Sequence, residues 1–131
     1  MKKHEVETLI DKADQAIMTE NFDALMEIYD DEAMLVVKPD LVARGKTQIR
    51  QAFENIAQYF QNSIKIKQNG MKVLEAGDTA LVLAQTLVSA SNLEEINRKA
   101  TYIFKKNKEK GWLCIIDNSY GHELLDNEKI K

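Results

Sequence analysis

The side chains of this sequence that could do chemistry gather at the end of an apolar run near the C-terminus. Asp117, Asn118, Ser119 and Tyr120 directly follow Ile116. Because successive side chains of a strand point to opposite faces, Ile116, Asn118 and Tyr120 are predicted on one face, and the residues between them on the other. Asn118 donates and accepts hydrogen bonds, and Tyr120 joins an apolar ring to a hydroxyl tip, so both could hold the polar end of a small molecule. Alternatively, these residues are only the polar end of a strand.

Two ionisable residues are candidates for a general acid or base. Lys38 ends a predicted strand, on the same face as Met34 and Val36. If Lys38 points inward, loss of hydration would lower the pKa of its amine; the favoured alternative is an exposed lysine at the rim of the fold. Asp117 is the late carboxylate that could transfer a proton, although strand alternation directs it away from Asn118 and toward a subunit interface.

Several kinds of site are excluded by residue type. His4 and His122 are the only histidines and Cys114 is the only cysteine, so the sequence offers no set of metal ligands with zinc spacing. Glycine-rich phosphate loops and nucleophile elbows are absent as well, and we expect neither a metal nor a cofactor. The net charge of −3 and the pI of about 5.4 argue against nucleic acid, whose phosphates attract Lys and Arg.

The bulk properties of the chain indicate one intracellular domain. Its 131 residues, 44% apolar and 30% charged, fit a single globular domain over residues 1–131. One cysteine cannot form an intrachain disulfide, which suits a reducing compartment. No apolar run approaches the ~18 residues of a membrane span, and none follows the N-terminus as in a signal peptide. We therefore expect a cytoplasmic protein without a nucleic-acid or membrane partner.

Three helices are predicted from apolar stripes of helical period. The first covers residues 5–18, and the second begins after Asn21, a plausible N-cap, and extends to Tyr29. Thr47 is predicted to cap the third helix. The apolar face of that helix comprises Ile49, Ala52, Phe53, Ile56, Ala57 and Phe60.

Strands account for most of the remaining chain. From Ser63 the apolar period changes to two, and Asn69-Gly70 marks a turn or bulge. The predicted strands are Ala33–Val37, Ile64–Ile66, Met71–Leu74, Thr79–Ala90, Ala100–Lys105 and Trp112–Ile116. Short turns between sequential strands predict an antiparallel meander, and helices that precede most strands predict an α+β layer arrangement.

The apolar runs in the strands predict self-association. A sheet with one solvent-exposed face alternates apolar and polar residues along each strand. Three predicted strands are instead apolar on both faces, at Met34–Val37, Ala80–Leu83 and Leu113–Ile116. Three short helices can cover only one face of such a sheet. A second copy of the chain is the simplest cover for the other face, so we expect a homodimer built through the sheet.

These segments together resemble a known family. The resemblance covers roughly residues 5–125. It is carried by five segments: Asn21–Leu25, Tyr29–Ala33, Arg44–Lys46, Thr101–Phe104 and Ile116–Gly121. The chain resembles the SnoaL-like and ketosteroid-isomerase-like branch of the nuclear transport factor 2-like superfamily, and looks closest to YybH-type proteins. The resemblance implies a cone-like (cystatin-like) fold, in which three N-terminal helices pack on a strongly curved, mainly antiparallel sheet and enclose a pocket.

The resemblance also implies where a ligand would lie. It turns the face of Ile116, Asn118 and Tyr120 toward the pocket, with Met34, Val36 and Phe53 adding to the wall. The favoured hypothesis is binding of a small, largely apolar molecule in this pocket. The alternatives are an acid–base enzyme, such as an isomerase, cyclase or hydratase using Lys38 or Asp117, and a non-catalytic dimeric assembly domain whose cone is filled.

The working groups of ketosteroid isomerases are not kept in this sequence. The resemblance places their general-base Asp at Lys38, their Tyr oxyanion donor at Ala13 and their protonated Asp near Thr101. Proton abstraction of that kind needs a carboxylate base and acidic donors. The isomerase mechanism is therefore not expected here.

Overall fold

The computed structural model describes residues 3–126 as helices packed on one six-stranded sheet. The elements in chain order are α1 (Glu5–Met18), α2 (Phe22–Met26), β1 (Tyr29–Lys38), β2 (Leu41–Arg44), α3 (Gly45–Tyr59), β3 (Lys65–Ala76), β4 (Thr79–Ala90), β5 (Leu93–Asn107), β6 (Gly111–Asn118) and a 3₁₀ helix (Gly121–Leu125). The α+β class is confirmed. The third helix follows two strands, so a block of three N-terminal helices is matched only in part.

Local capping explains where the first two helices begin. The imidazole of His4 accepts a hydrogen bond from the Val6 amide at 3.0 Å and caps α1. Asn21 caps α2 as predicted, because its side-chain oxygen accepts from the Ala24 amide at 3.2 Å. The extension of this helix to Tyr29 is wrong: Tyr29 is the first residue of β1 and pairs with β6, so sheet pairing overrides its helical spacing.

The start of α3 also differs from the prediction. The helix begins at Gly45, after Arg44 as N-cap, and not at a cap on Thr47. Gly45 has φ +79°, a backbone conformation that glycine adopts readily and that lets the chain turn from β2 into the helix. The short strand β2 itself was not predicted.

The sheet has the order β2-β1-β6-β5-β4-β3, with β1 and β6 parallel and all other neighbours antiparallel. The sheet is therefore mixed. Helix α3 packs on β1 and α1 packs on β3, so the helices lie against one face. The core between the layers includes the fully buried side chains Val6, Leu25, Ile49, Val82 and Phe104.

Bulges interrupt the regular alternation of two strands. Asn69-Gly70 is a bulge inside the continuous strand β3, between Gln68 and Met71. A second bulge lies in β6. Ile103 of β5 pairs with Ile116 of β6, whereas the next β5 residue, Phe104, pairs with Cys114. One extra residue of β6, Ile115, therefore lies between the two pairs. An extra residue shifts the strand by one position, and every side chain beyond it changes face.

The face opposite the helices carries a continuous apolar row across five strands. Direct strand partners link Leu74 to Leu81, Leu81 to Ile103, Ile103 to Ile116, and Ile116 to Met34. We call these five residues the outer row. The Leu74 residue is 47% exposed, and Leu83, two residues from Leu81 on β4, is 45% exposed.

Candidate functional site

A cavity of about 220 Å³ lies between the helices and the sheet. Helix α1 contributes Ile10, Ala13, Asp14 and Ile17, which recur at the i, i+3, i+4, i+7 spacing of one helix face. The rest of the wall comes from α3, the strands and the segments that adjoin them. Its apolar members include Ile28, Leu35, Val36, Val37, Phe53, Ile56, Phe60, Ile64, Ile66, Val88, Leu93, Ile96 and Phe104.

The first polar group in this wall is the Asp117 carboxyl. The Tyr29 hydroxyl donates a hydrogen bond of 2.6 Å to Asp117 Oδ2. Burial raises the pKa of Asp117 to about 6, although the bond from Tyr29 works in the opposite direction. The pKa of the Tyr29 hydroxyl rises well above its ordinary value, first through burial and then through the neighbouring charge of Asp117. The hydroxyl therefore remains a proton donor.

The second polar group is the Asp14 carboxyl on α1. Gln68 Nε2 donates to Asp14 Oδ2 at 2.8 Å, and the buried Thr86 hydroxyl donates to Gln68 Oε1 at 3.2 Å. Burial raises the pKa of Asp14 to about 7; the Gln68 bond lowers it, and the charges of Asp11 and Asp117 raise it further. Asp14 and Asp117 therefore line the same cavity, and the charge of Asp117 acts on Asp14.

Arg98 and two tyrosines complete the polar wall. The Arg98 guanidinium lies 4.2 Å from the centre of the Tyr120 ring and 3.2 Å from Glu123 Oε1. Tyr102 lines the cavity beside Asp117, and burial raises the pKa of its hydroxyl above the ordinary value. The site thus combines an apolar body with carboxyls that can gain or lose a proton near neutrality and hydroxyls that cannot.

The predicted orientation of β6 needs correction. The bulge at Ile115 places Cys114, Asp117 and Ser119 in the cavity wall, so Asn118 falls on the other face. Asn118 instead closes the turn after β6: its Oδ1 accepts from the amides of Tyr120, at 3.1 Å, and Gly121, at 3.0 Å. Asp117 was expected to point away from the pocket and lies in its wall.

Two other predicted wall residues also lie outside the cavity. Ile116 and Met34 are strand partners in the outer row and do not line the cavity. Val36, Phe53 and Tyr120 do line it, as predicted from position. Tyr120 reaches the wall because the chain turns into the 3₁₀ helix at this residue. Whether any of them binds a ligand stays a prediction.

Lys38 lies at the rim, away from the cavity. Its side chain is 60% exposed, and its ammonium group is 4.0 Å from Asp40 Oδ1. The inward, desolvated alternative therefore does not occur. The position matched to the isomerase Asp donor also shifts by one: Thr101 is on the outer side, and its neighbour Tyr102 lines the cavity, as does Ala13.

Sequence reasoning missed the network of Asp14, Gln68 and Thr86. A signal for Asp14 was present, because it stands four residues after Ile10 and three before Ile17, on the apolar stripe of α1. A carboxylate in such a stripe is the exception that marks a candidate site. Gln68 precedes the β3 bulge and gave no comparable signal.

Within residues 3–126, no group of three or more His, Cys, Asp or Glu side chains is placed to hold a metal ion. No helix in the same range is long and apolar enough to cross a bilayer.

Comparison with known proteins identifies relatives by sequence family and by fold. Residues 6–115 match the family model described as "SnoaL-like domain". No curated protein matches the chain significantly. Among solved structures, a nuclear transport factor 2-like protein of unknown function from Pseudomonas putida is 19% identical, with a TM-score of 0.76 over 86% of this chain and 81% of that one.

Two further structures show the range of proteins that share this fold. A cystatin-like protein of unknown function from Nostoc punctiforme is 15% identical, with a TM-score of 0.74 over 86% of this chain and 85% of that one. A CaMKII hub from S. rosetta is 21% identical, with a TM-score of 0.69 over 86% of this chain and 90% of that one. At these identities the likeness establishes the fold alone.

Proposed function

We propose that this chain, which belongs to the SnoaL-like domain family, binds one small, mainly apolar molecule in the cavity. The polar end of the molecule lies against Asp117, Tyr29 and Asp14. The observation that carries the proposal is an apolar space of about 220 Å³ with these groups in its wall. A few convergent polar groups in an apolar pocket are typical of small-molecule sites.

The proposal is tested by filling the cavity. Ala13 lines it from α1, so Ala13→Phe places a ring inside, whereas Ala76→Phe adds the same ring at an exposed position. Purified protein is mixed with cyclohexanol or 2-phenylethanol, and binding is followed by ligand-observed NMR. We expect binding by the wild type and the Ala76 variant and none by the Ala13 variant. If the wild type binds neither probe, or the Ala13 variant keeps full affinity, the cavity is not the binding site.

A second function, acid–base catalysis, is favoured by the pKa values in the cavity. Asp117, with a pKa of about 6, can accept a proton near neutral pH, while Tyr29 donates a hydrogen bond to it. Asp14, with a pKa of about 7, is a source of protons in the same pH range. The pair supports proton transfer to or from a bound carbonyl compound. This role falls to Asp117 and Asp14, since Lys38 is exposed.

Hydrogen exchange on a simple ketone tests this second function. Cyclohexanone in deuterium oxide exchanges its α-hydrogens, and NMR follows the rate. We expect the protein to accelerate the exchange and Asp117→Asn to remove the acceleration. Glu109→Gln, which neutralises an exposed carboxylate in the turn between β5 and β6, serves as control. Exchange at the background rate with the wild type, or full acceleration by the Asp117 variant, contradicts the assignment.

We also propose a homodimer formed through the outer row. The row presents contiguous leucine, isoleucine and methionine side chains on the sheet face away from the helices, and a hub protein with the same fold is consistent with self-association. A stable dimer buries at least ~1,000 Å² in total. Leu81→Asp should yield a monomer by light scattering, whereas Leu125→Asp, on the 3₁₀ helix, should not. A monomeric wild type at micromolar concentration refutes the proposal.

Two finer assignments remain proposals of the same kind. A cytoplasmic location is supported by the single buried cysteine, which suits a reducing compartment. The closer relationship to YybH-type proteins is supported by the segments around Tyr29 and after Ile116.

A further inference from the structure

The charge of the cavity wall is unbalanced. Asp14 and Asp117 each use one carboxyl oxygen, Oδ2, to accept a hydrogen bond, from Gln68 and Tyr29 respectively. Their other oxygens, Oδ1, accept no hydrogen bond from any residue in 3–126, and both residues line the cavity. Each carboxyl therefore retains an acceptor atom for an occupant.

No cationic side chain of the described chain neutralises these carboxyls. Burial and polar or acidic neighbours account for the shifted pKa values of both carboxyls, and no Lys or Arg contributes to either shift. Within residues 3–126, Arg98 is the only cation in the cavity wall. Its guanidinium group pairs with Glu123 and lies over the face of the Tyr120 ring.

We propose that the ligand of this cavity is a small amine, with an apolar body and an ammonium group that serves as the missing cation beside Asp117 and Asp14. This inference rests on the proposed function as a small-molecule site and narrows its ligand class. An ammonium group has three N–H donors and no acceptor, which complements the two free carboxyl oxygens.

The aromatic wall favours the same occupant. The ring centres of Tyr29 and Phe53 are 6.3 Å apart, and both rings line the cavity with Tyr102. The faces of aromatic rings attract cations, most strongly where water is excluded. An anionic ligand would meet two carboxyls and no free cation, and a neutral alcohol would leave the charge imbalance in place.

The proposal fixes the pH dependence of binding. The groups that face Asp117 are Tyr29 on β1, Tyr102 on β5 and Cys114 on β6, while Gln68 on β3 and Asp11 on α1 act on Asp14. A cation stabilises both carboxylates, so amine binding releases protons. Below their pKa values, affinity rises by up to about tenfold per pH unit for each carboxyl that loses its proton. A ligand held by protonated carboxyl groups would show the opposite trend.

The test compares probes that share one apolar body and differ in charge. The probes are 2-phenylethylamine, 2-phenylethanol and 3-phenylpropanoate, and isothermal titration calorimetry measures each at about pH 5.5 and about pH 7.5. At the higher pH we expect the amine to bind about tenfold more tightly than the alcohol, because charge-assisted hydrogen bonds are roughly twice as strong as neutral ones. We expect the carboxylate to bind most weakly and the amine alone to gain affinity with pH.

Variants locate the effect. Asp117→Asn and Asp14→Asn keep the shape of the wall and should each weaken amine binding by about tenfold while changing alcohol binding little. Glu109→Gln, which removes a carboxylate charge from the exposed turn between β5 and β6, should change neither. Thermal unfolding confirms that each variant is folded.

The outcomes separate this inference from the proposed function. If the alcohol binds as tightly as the amine, or if the amine ignores both variants, the inference is overturned and the small-molecule site stands. If none of the three probes binds the wild type, the inference and the small-molecule site fall together.

Discussion

Replacing Asp117 by asparagine should stabilise the protein at alkaline pH and leave it nearly unchanged in acid. The folded state raises the pKa of this carboxyl from an ordinary 3.8 to about 6, chiefly through burial. Between these two values the folded protein binds more protons than the unfolded chain, so stability falls as pH rises. An asparagine side chain does not ionise, so the variant does not undergo this loss.

The size of the effect follows from the same two pKa values. Each pH unit of difference corresponds to about 1.4 kcal/mol, so ionised Asp117 costs about 3 kcal/mol at pH values above its folded pKa. At about pH 4 only a small part of this cost is present, which leaves an expected gain of about 2–3 kcal/mol between about pH 4 and about pH 8. The amide oxygen of the new side chain can still accept the hydrogen bond from Tyr29, so the substitution leaves no buried donor unpaired.

Urea unfolding at the two pH values measures this gain. The free energy of unfolding of Asp117→Asn minus that of the wild type should be near zero in acid and clearly positive at alkaline pH, with unchanged denaturant slopes. Glu109→Gln is the control, because Glu109 is exposed in the turn between β5 and β6 and does not line the cavity. Equal effects at both pH values, or a destabilised variant at alkaline pH, would refute the view that Asp117 is a desolvated carboxyl.

Three further results are expected. A Cβ on Gly121 would collide with the Lys99 carbonyl, whereas a Cβ on Gly77, at a similar φ of +58°, would meet open space. Gly121→Ala should therefore lower the free energy of unfolding by several kcal/mol and Gly77→Ala by only about 1 kcal/mol, as measured by thermal unfolding. Phe53→Ala should cost about 3 kcal/mol in urea unfolding, and a cost near zero would contradict its packing in the wall. Native Cys114, buried with a pKa well above its ordinary value, should resist iodoacetamide until the protein unfolds.

The fold was predictable from the sequence because most of its elements are indicated by local patterns. Helical stripes, the Asn21 cap and the change of period at Ser63 depend on near neighbours in the chain, and the structure keeps all three. Tyr29 shows the limit of this approach. Its spacing fits the helical stripe, but pairing with Cys114, far away in sequence, places it in β1.

The site was harder to predict because one extra residue reverses it. Strict alternation through β6 would give Asn118 to the cavity and Asp117 to the outer face. The bulge at Ile115 exchanges them, and nothing in the sequence Cys114-Ile115-Ile116 distinguishes a bulged strand from a regular one. Bulges depend on pairing with the neighbouring strand, here at Phe104, and that partner is known only from the structure.

The bulge in β6 and the presence of Asp14 in the apolar stripe of α1 support one interpretation of the cavity. A domain that only needed a filled core would gain stability from apolar residues at positions 14 and 117, since burial raises the pKa of each carboxyl at a cost to folding. The chain instead surrounds Asp14 with Gln68 and Thr86, and supplies Asp117 with Tyr29. Partners that hold a destabilising group in place, while leaving one of its oxygens open to a cavity, are expected of a site preorganised for a ligand and not of a structural core.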